Sequence, residues 1–113
     1  MKIVKEPIKL EELKEMAKKM FGDLVKADID VEKGIMIIDM ELHADGEAAL
    51  LENGSEQKNL WGINIYPALS GDDFIEFDSM INIRPSQGNR SRGVEDESVR
   101  KKIVEIVNKL VLR

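Results

Sequence analysis

The sequence predicts an α+β domain of two layers: a four-stranded antiparallel sheet made from two hairpins, with the N- and C-terminal helices on one face and a short helix between the hairpins. Three observations predict it. Apolar residues recur at helical spacing near both ends of the 113-residue chain. Between those ends they alternate with polar residues, the period of half-buried strands. Turn signals such as Glu32-Lys33-Gly34 break the alternating stretches into pairs. Runs of strands flanked by helices bury one sheet face, which is the α+β arrangement.

The first element spans Leu10 to Phe21, where Leu10, Leu13, Met16, Ala17, Met20 and Phe21 share one face. Pro7 precedes this helix and Gly22 supplies its left-handed stop. Val25, Ala27, Ile29 and Val31 then alternate with Lys26, Asp28 and Asp30, giving a first strand, and Ile35 to His43 is the second. In that second strand Met36, Ile38, Met40 and Leu42 take one face and Ile35, Ile37, Asp39, Glu41 and His43 the other. Asp45 is the expected cap of a short helix through Ala48 to Leu51, ended by Asn53-Gly54. Leu60 to Tyr66 is a third strand with Trp61, Ile63 and Ile65 inward. The fourth runs from Phe74 to Arg84 with Ile75, Phe77, Ser79, Ile81 and Ile83 inward. A polar loop from Pro85 to Gly93 leads to a helix from about Glu95 to Leu112, whose acidic start suits the helix dipole.

The length suits one domain, residues 1–113, able to bury its own core without a disulfide or a metal. With no cysteine, thiolate zinc sites and cysteine nucleophiles are excluded. No apolar run approaches the roughly 18–20 residues of a membrane span, and Met1 to Pro7 has no signal-peptide core, so a cytoplasmic protein is expected. A net charge of −5 argues against wholesale binding to nucleic acid or anionic lipid, and no DNA-binding motif is present. Walker A, dinucleotide and G-x-S-x-G patterns are missing as well.

Chemistry is expected on the sheet face away from the helices. There the alternation collects Asp39, Glu41, His43, Asn64, Tyr66, Glu76, Asp78, Asn82 and Arg84. One reading is an ordinary solvated sheet face. The other is a ligand site, because Asn, Tyr, His and Arg differ from the Lys and Glu that solvate the helices. His43 has the intrinsic pKa of a general acid or base, with Glu41 and Asp78 as catalytic companions. His43-x-Asp45-x-Glu47 is a weak metal pattern: a single histidine without cysteine argues against zinc or copper, carboxylates alone suit magnesium or manganese, and neither a metal site nor a cofactor is assigned. The plainer reading leaves Asp45 as a helix cap and His43 at a strand end, bonded to a carboxylate.

The loop from Arg84 to Arg92 is the sharpest feature. It holds Arg84, Arg90 and Arg92 with Gln87 and Asn89 between them and no acid. Arginine forks beside a helix start suit a phosphate or carboxylate. The same arginines would equally serve as an internal latch onto the acidic stretch between Lys33 and Lys58, or as a subunit contact.

Lys5-Glu6-Pro7-Ile8, Glu41-Leu42-His43-Ala44-Asp45, the run from Leu60 to Pro67 (LWGINIYP) and the run from Glu76 to Ser91 (EFDSMINIRPSQGNRS) carry a resemblance. The chain resembles a family of short prokaryotic single-domain proteins of unknown function. That resemblance implies a stand-alone domain and brings no activity, cofactor or residue role. The leading expectation is therefore a binding module holding an anionic small molecule or RNA, with Asn64, Tyr66, Asn82, Arg84, Gln87, Asn89, Arg90 and Arg92 as ligand contacts. The alternatives are a small metal-dependent phosphate-ester hydrolase using His43, Glu41 and Asp78, and a structural homodimer.

Overall fold

The helical spacing at the N-terminus produces α1 (Leu10–Met20), with Leu13 and Ala17 on its buried face. Glu11 and Glu12 lie in its first turn and Lys18 and Lys19 in its last, each of the sign the helix dipole favours. Gly22, at φ 92°, turns the chain out of it. A computed structural model describes every residue from Met1 to Arg113. Its remaining elements are β1 (Lys2–Val4), β2 (Ile8–Lys9), β3 (Val25–Asp30), β4 (Ile35–Ile38), α2 (His43–Glu52), β5 (Leu60–Ile65), β6 (Ile75–Glu76), α3 (Glu97–Leu110) and β7 (Val111–Leu112).

The sheet is antiparallel with strand order β1-β4-β3-β5-β6. It has five strands, not the expected four. The added strand, β1, pairs Lys2 with Ile38 and Val4 with Met36 at the sheet edge. Three residues are too few to show an alternation, which is why the sequence does not display it. Separately, β2 and β7 form a two-stranded parallel pair, Ile8 opposite Val111.

Alternation on β3 decides what each sheet face packs against. Val25, Ala27 and Ile29 join Met36, Ile38, Ile63 and Ile65 in an 18-residue buried cluster, with Leu13 and Ala17 of α1 and Ile103, Val107 and Leu110 of α3. The two long helices thus share one face. The opposite face is covered as well: Leu50 of α2 closes with Ile37, Met40 and Leu60 over a second, smaller cluster. The expectation that helices cover one face only is corrected, and with it the two-layer description.

Three local expectations also change. The second strand stops at Ile38 because Asp39 adopts a left-handed backbone, φ 68°. The chain then folds back, Met40 packs under α2, and α2 begins at His43 with Leu42, not Asp45, in the capping position. The fourth strand shrinks to Ile75–Glu76, followed by tight helical turns at Met80–Asn82 and Pro85–Gln87. With the period lost, Phe74 enters the main core while Ile83 is exposed.

Candidate functional site

The α2 face of the sheet is built from polar side chains that are nevertheless buried. Asp28 and Asp30 of β3 point to it and are 0% and 1% exposed. Asp30 is fully partnered: Oδ1 accepts the backbone N–H groups of Glu32 and Lys33 at 2.9 Å each, and Oδ2 accepts the Ser55 hydroxyl at 2.6 Å. Neither oxygen of Asp28 has a hydrogen-bond partner, and one oxygen of Glu47 on α2 is buried in the same condition. Burial, reinforced by the Glu47 carboxylate, pushes the Asp28 carboxyl up to about 9, so it is protonated at neutral pH. Protonated, it has an O–H of its own to offer its carboxylate neighbour. Gly46 makes room for the Asp28 carboxyl, since a Cβ there would lie 2.4 Å from its Oδ2.

Beside it, β5 runs past a chain segment that is no longer a strand. The Asn82 side chain takes the strand's place. Its Oδ1 accepts the Gly62 N–H at 2.8 Å and its Nδ2 donates to the Gly62 carbonyl at 2.9 Å. Gly62 also lets this segment close in, because a Cβ would lie 2.6 Å from Ser79. The Arg84 guanidinium lies 4.2 Å from the Trp61 ring centroid and donates to the carbonyls of Gln57 and Leu60. Asn89 holds the loop: Nδ2 donates to the carbonyls of Asn82 and Gly93, and Oδ1 accepts the Glu95 N–H. The Glu95 carboxylate accepts the N–H groups of Arg90 and Ser91, which hold its pKa below the usual range.

Between this loop and the start of α2 lies a cleft of about 190 Å³. Its polar lining is Lys26, His43, Asn64, Asp78, Ser79 and Arg92. His43 is buried, and its Nε2 lies 2.8 Å from the Ile63 carbonyl. A carbonyl only accepts, so Nε2 carries the proton and Nδ1 keeps its lone pair. Burial lowers the His43 pKa, with Lys26 and Arg92 acting in the same direction, and the ring is neutral at pH 7. Arg92 Nε donates to Asp78 Oδ1 at 2.6 Å, an exposed pair at the rim. Asn64 donates to Glu76 at 2.8 Å, and its own Oδ1 is buried without a partner. Two of the most exposed large apolar side chains, Leu42 and Met80, also line the cleft.

The structure brings together His43, Asn64, Asp78 and Arg92 of the residues singled out in the sequence. Tyr66 stands next to them, donating to Glu76 at 3.1 Å. Glu41 does not join; it lines a separate groove with Asp39 and Asp45. The trio His43, Glu41 and Asp78 is therefore not assembled, and no three His, Asp or Glu side chains lie close enough to share a metal ion. His43 bonds a backbone carbonyl, not a carboxylate. Asn82, Arg84 and Asn89 are buried and spend their hydrogen bonds on the fold, while Gln87 reaches the Lys58 carbonyl at 3.3 Å. Arg90 is exposed. Sequence reasoning missed Lys26 and Ser79. Lys26 had a signal in β3 itself, since it alternates outward and pairs in register with Asn64. Ser79 had none, because its inward assignment presumed a strand that does not form.

No helix is long and apolar enough to cross a membrane. No curated protein and no solved structure matches the chain. One family model does match, over residues 2–110, and it takes in both the buried polar face and the cleft. The chain belongs to that family, the proteins of unknown function designated DUF5674.

Proposed function

We propose that the protein is a binding module for a small molecule with one anionic group and an apolar body, held in the cleft at the start of α2. The observation that carries this reading is the lining itself: Lys26 and Arg92 beside a neutral His43, next to exposed Leu42 and Met80. The cations attract a carboxylate or phosphate, the imidazole Nδ1 accepts a hydrogen bond from a hydroxyl of the ligand, and the apolar pair covers the rest. The cleft is smaller than the roughly 300–1,000 Å³ of ordinary ligand pockets, so it suits a headgroup with the tail lying outward. A polymer such as RNA would need a track of cations beyond it. Of the loop arginines, Arg84 is buried and Arg92 is already paired.

A thermal-shift series with octanoate, octyl phosphate, acetate and inorganic phosphate tests this reading. Octanoate or octyl phosphate should stabilise the protein, by about 2.7 kcal/mol at a hundred times the dissociation constant. The short anions should act more weakly, and Lys26→Ala/Arg92→Ala should abolish the response. Asp78→Asn should tighten binding several-fold, because the native carboxylate competes for Arg92. Equal responses of wild type and the double variant would remove the basis for the cleft.

A further inference from the structure

A second groove shares no residue with the cleft. It lies where α2, the end of α1 and the linker after β4 meet, and holds about 440 Å³. Its apolar lining is Met1, Met20 and Met40 with Ala48 and Ala49. Three of the six methionines in the chain are therefore in one place. Methionine is unbranched and polarisable, and it is favoured on surfaces that must adapt to a partner. Met1 and Met20 are 63% and 41% exposed, whereas Met40 is buried and forms the floor.

The rim carries Asp39, Glu41, Asp45 and Glu52. No Lys or Arg lines the groove, and none occurs anywhere between Lys33 and Lys58. The five ion pairs of the chain use other acids, so these four carboxylates have no cationic partner within the molecule. Asp45 and Glu52 are seven residues apart on α2, with Ala48 and Ala49 between them. One helix face thus presents acid, small residue, acid. The left-handed backbone of Asp39 sets this wall, turning Met40 beneath α2 and leaving Glu41 at the rim.

We propose that this groove docks a basic amphipathic helix of a partner protein. Its apolar side would sit on the methionines and its Lys or Arg residues would meet the four unpaired carboxylates, the helix-in-groove mode of recognition. Charge complementarity selects this occupant. The groove offers no cationic side chain for an anionic ligand and no convergent carboxylate trio for a metal ion. The cleft at the start of α2 plays no part in it, so either proposal stands without the other.

The test uses the full chain labelled with ¹⁵N and two helical peptides of equal length and charge. One carries Leu and Lys at helical spacing, the other Ser and Lys. The Leu–Lys peptide is expected to bind at least about ten-fold tighter, roughly 1.4 kcal/mol. Amide shifts should centre on Met20, Met40 and Ala48. Glu41→Lys/Glu52→Lys is expected to weaken binding about ten-fold or more. Both positions are exposed and Lys suits the last turn of a helix, so the fold is kept. Added salt should weaken binding of the wild type. Absence of binding, equal binding of the two peptides, unchanged affinity of the variant, or shifts centred elsewhere would each overturn the proposal. So would concentration-dependent shifts at these methionines without peptide, which would assign the groove to a second copy of the chain.

Discussion

One sheet is packed in two different ways. On the α1 and α3 face, 18 buried apolar residues interlock, and side chains such as Leu13, Phe74 and Ile103 are 0–1% exposed. On the α2 face the apolar cluster is only four residues, Ile37, Met40, Leu50 and Leu60. The remaining volume there is taken by Asp28, Asp30, Asn64, Asn82, Arg84 and His43. The first face gains stability by removing hydrocarbon from water. The second must satisfy polar groups one by one, and Asp28, Glu47, Asn64 and Arg84 each retain an atom without a partner. Stability is thus concentrated on one side of the sheet and specific chemistry on the other.

The comparison can be broken at either face. The largest effect is expected from Phe74→Ala, about 3–5 kcal/mol lost in urea unfolding, because the ring is fully buried in the apolar face. A loss below 1 kcal/mol would mean that this face does not dominate. Next is Asp28→Asn, read as a pH series. Burial pushes its carboxyl from the ordinary value of 3.8 up to about 9 in the folded protein. Between those values the native protein keeps a proton that the unfolded chain has released. Wild-type stability therefore carries a component that falls as pH rises, by up to about 1.4 kcal/mol per unit, levelling off above 9. Asn lacks this titration, so the variant should gain on the wild type steadily from pH 5 to pH 8. A constant difference would show that Asp28 is not a buried acid.

Smaller still is Gly62→Ala, about 1–3 kcal/mol, since the new methyl meets Ser79 at 2.6 Å. It should also shift the His43 ring resonances, because His43 Cδ2 lies 3.1 Å from the same point. Asp78→Ala is expected to change stability by about 0–1 kcal/mol, the usual value of an exposed ion pair. A larger loss would make the rim of the cleft part of the fold and not a place for a ligand.

The strongly periodic elements were legible. The expected helix Leu10–Phe21 and strands Val25–Val31 and Leu60–Tyr66 match α1, β3 and β5 within one residue at each end. The C-terminal helix, expected from Glu95, begins at Glu97 because the Asp96 side chain caps it, accepting the Ser98 N–H. Where side chains replace backbone, the pattern misled. Phe74 to Arg84 alternates like a strand, yet Asn82 supplies the amide pairing and the backbone coils into turns. The short central helix was expected, but not that it would lie across the polar face. Its buried positions, His43, Gly46 and Leu50, do not read as an apolar stripe. That one misplacement explains most of the site. With α2 assigned to the helix layer, Asp28 and Asp30 read as solvated and Arg84 as a ligand contact. In the structure all three are buried beneath or beside α2.

The parallel pairing of β2 with β7 sets the order of events during synthesis. Ile8 hydrogen-bonds in register with Val111, roughly a hundred residues later, and both are buried. At about 5–20 residues per second, the ribosome takes some 5–20 s to deliver that partner. The main sheet asks for no such wait, since Lys2 lies opposite Ile38 and Asp30 opposite Leu60. Until then α1 is without α3, whose Ile103, Val107 and Leu110 complete the same cluster. Until α3 arrives, the part of the larger core that its residues cover stays open to water.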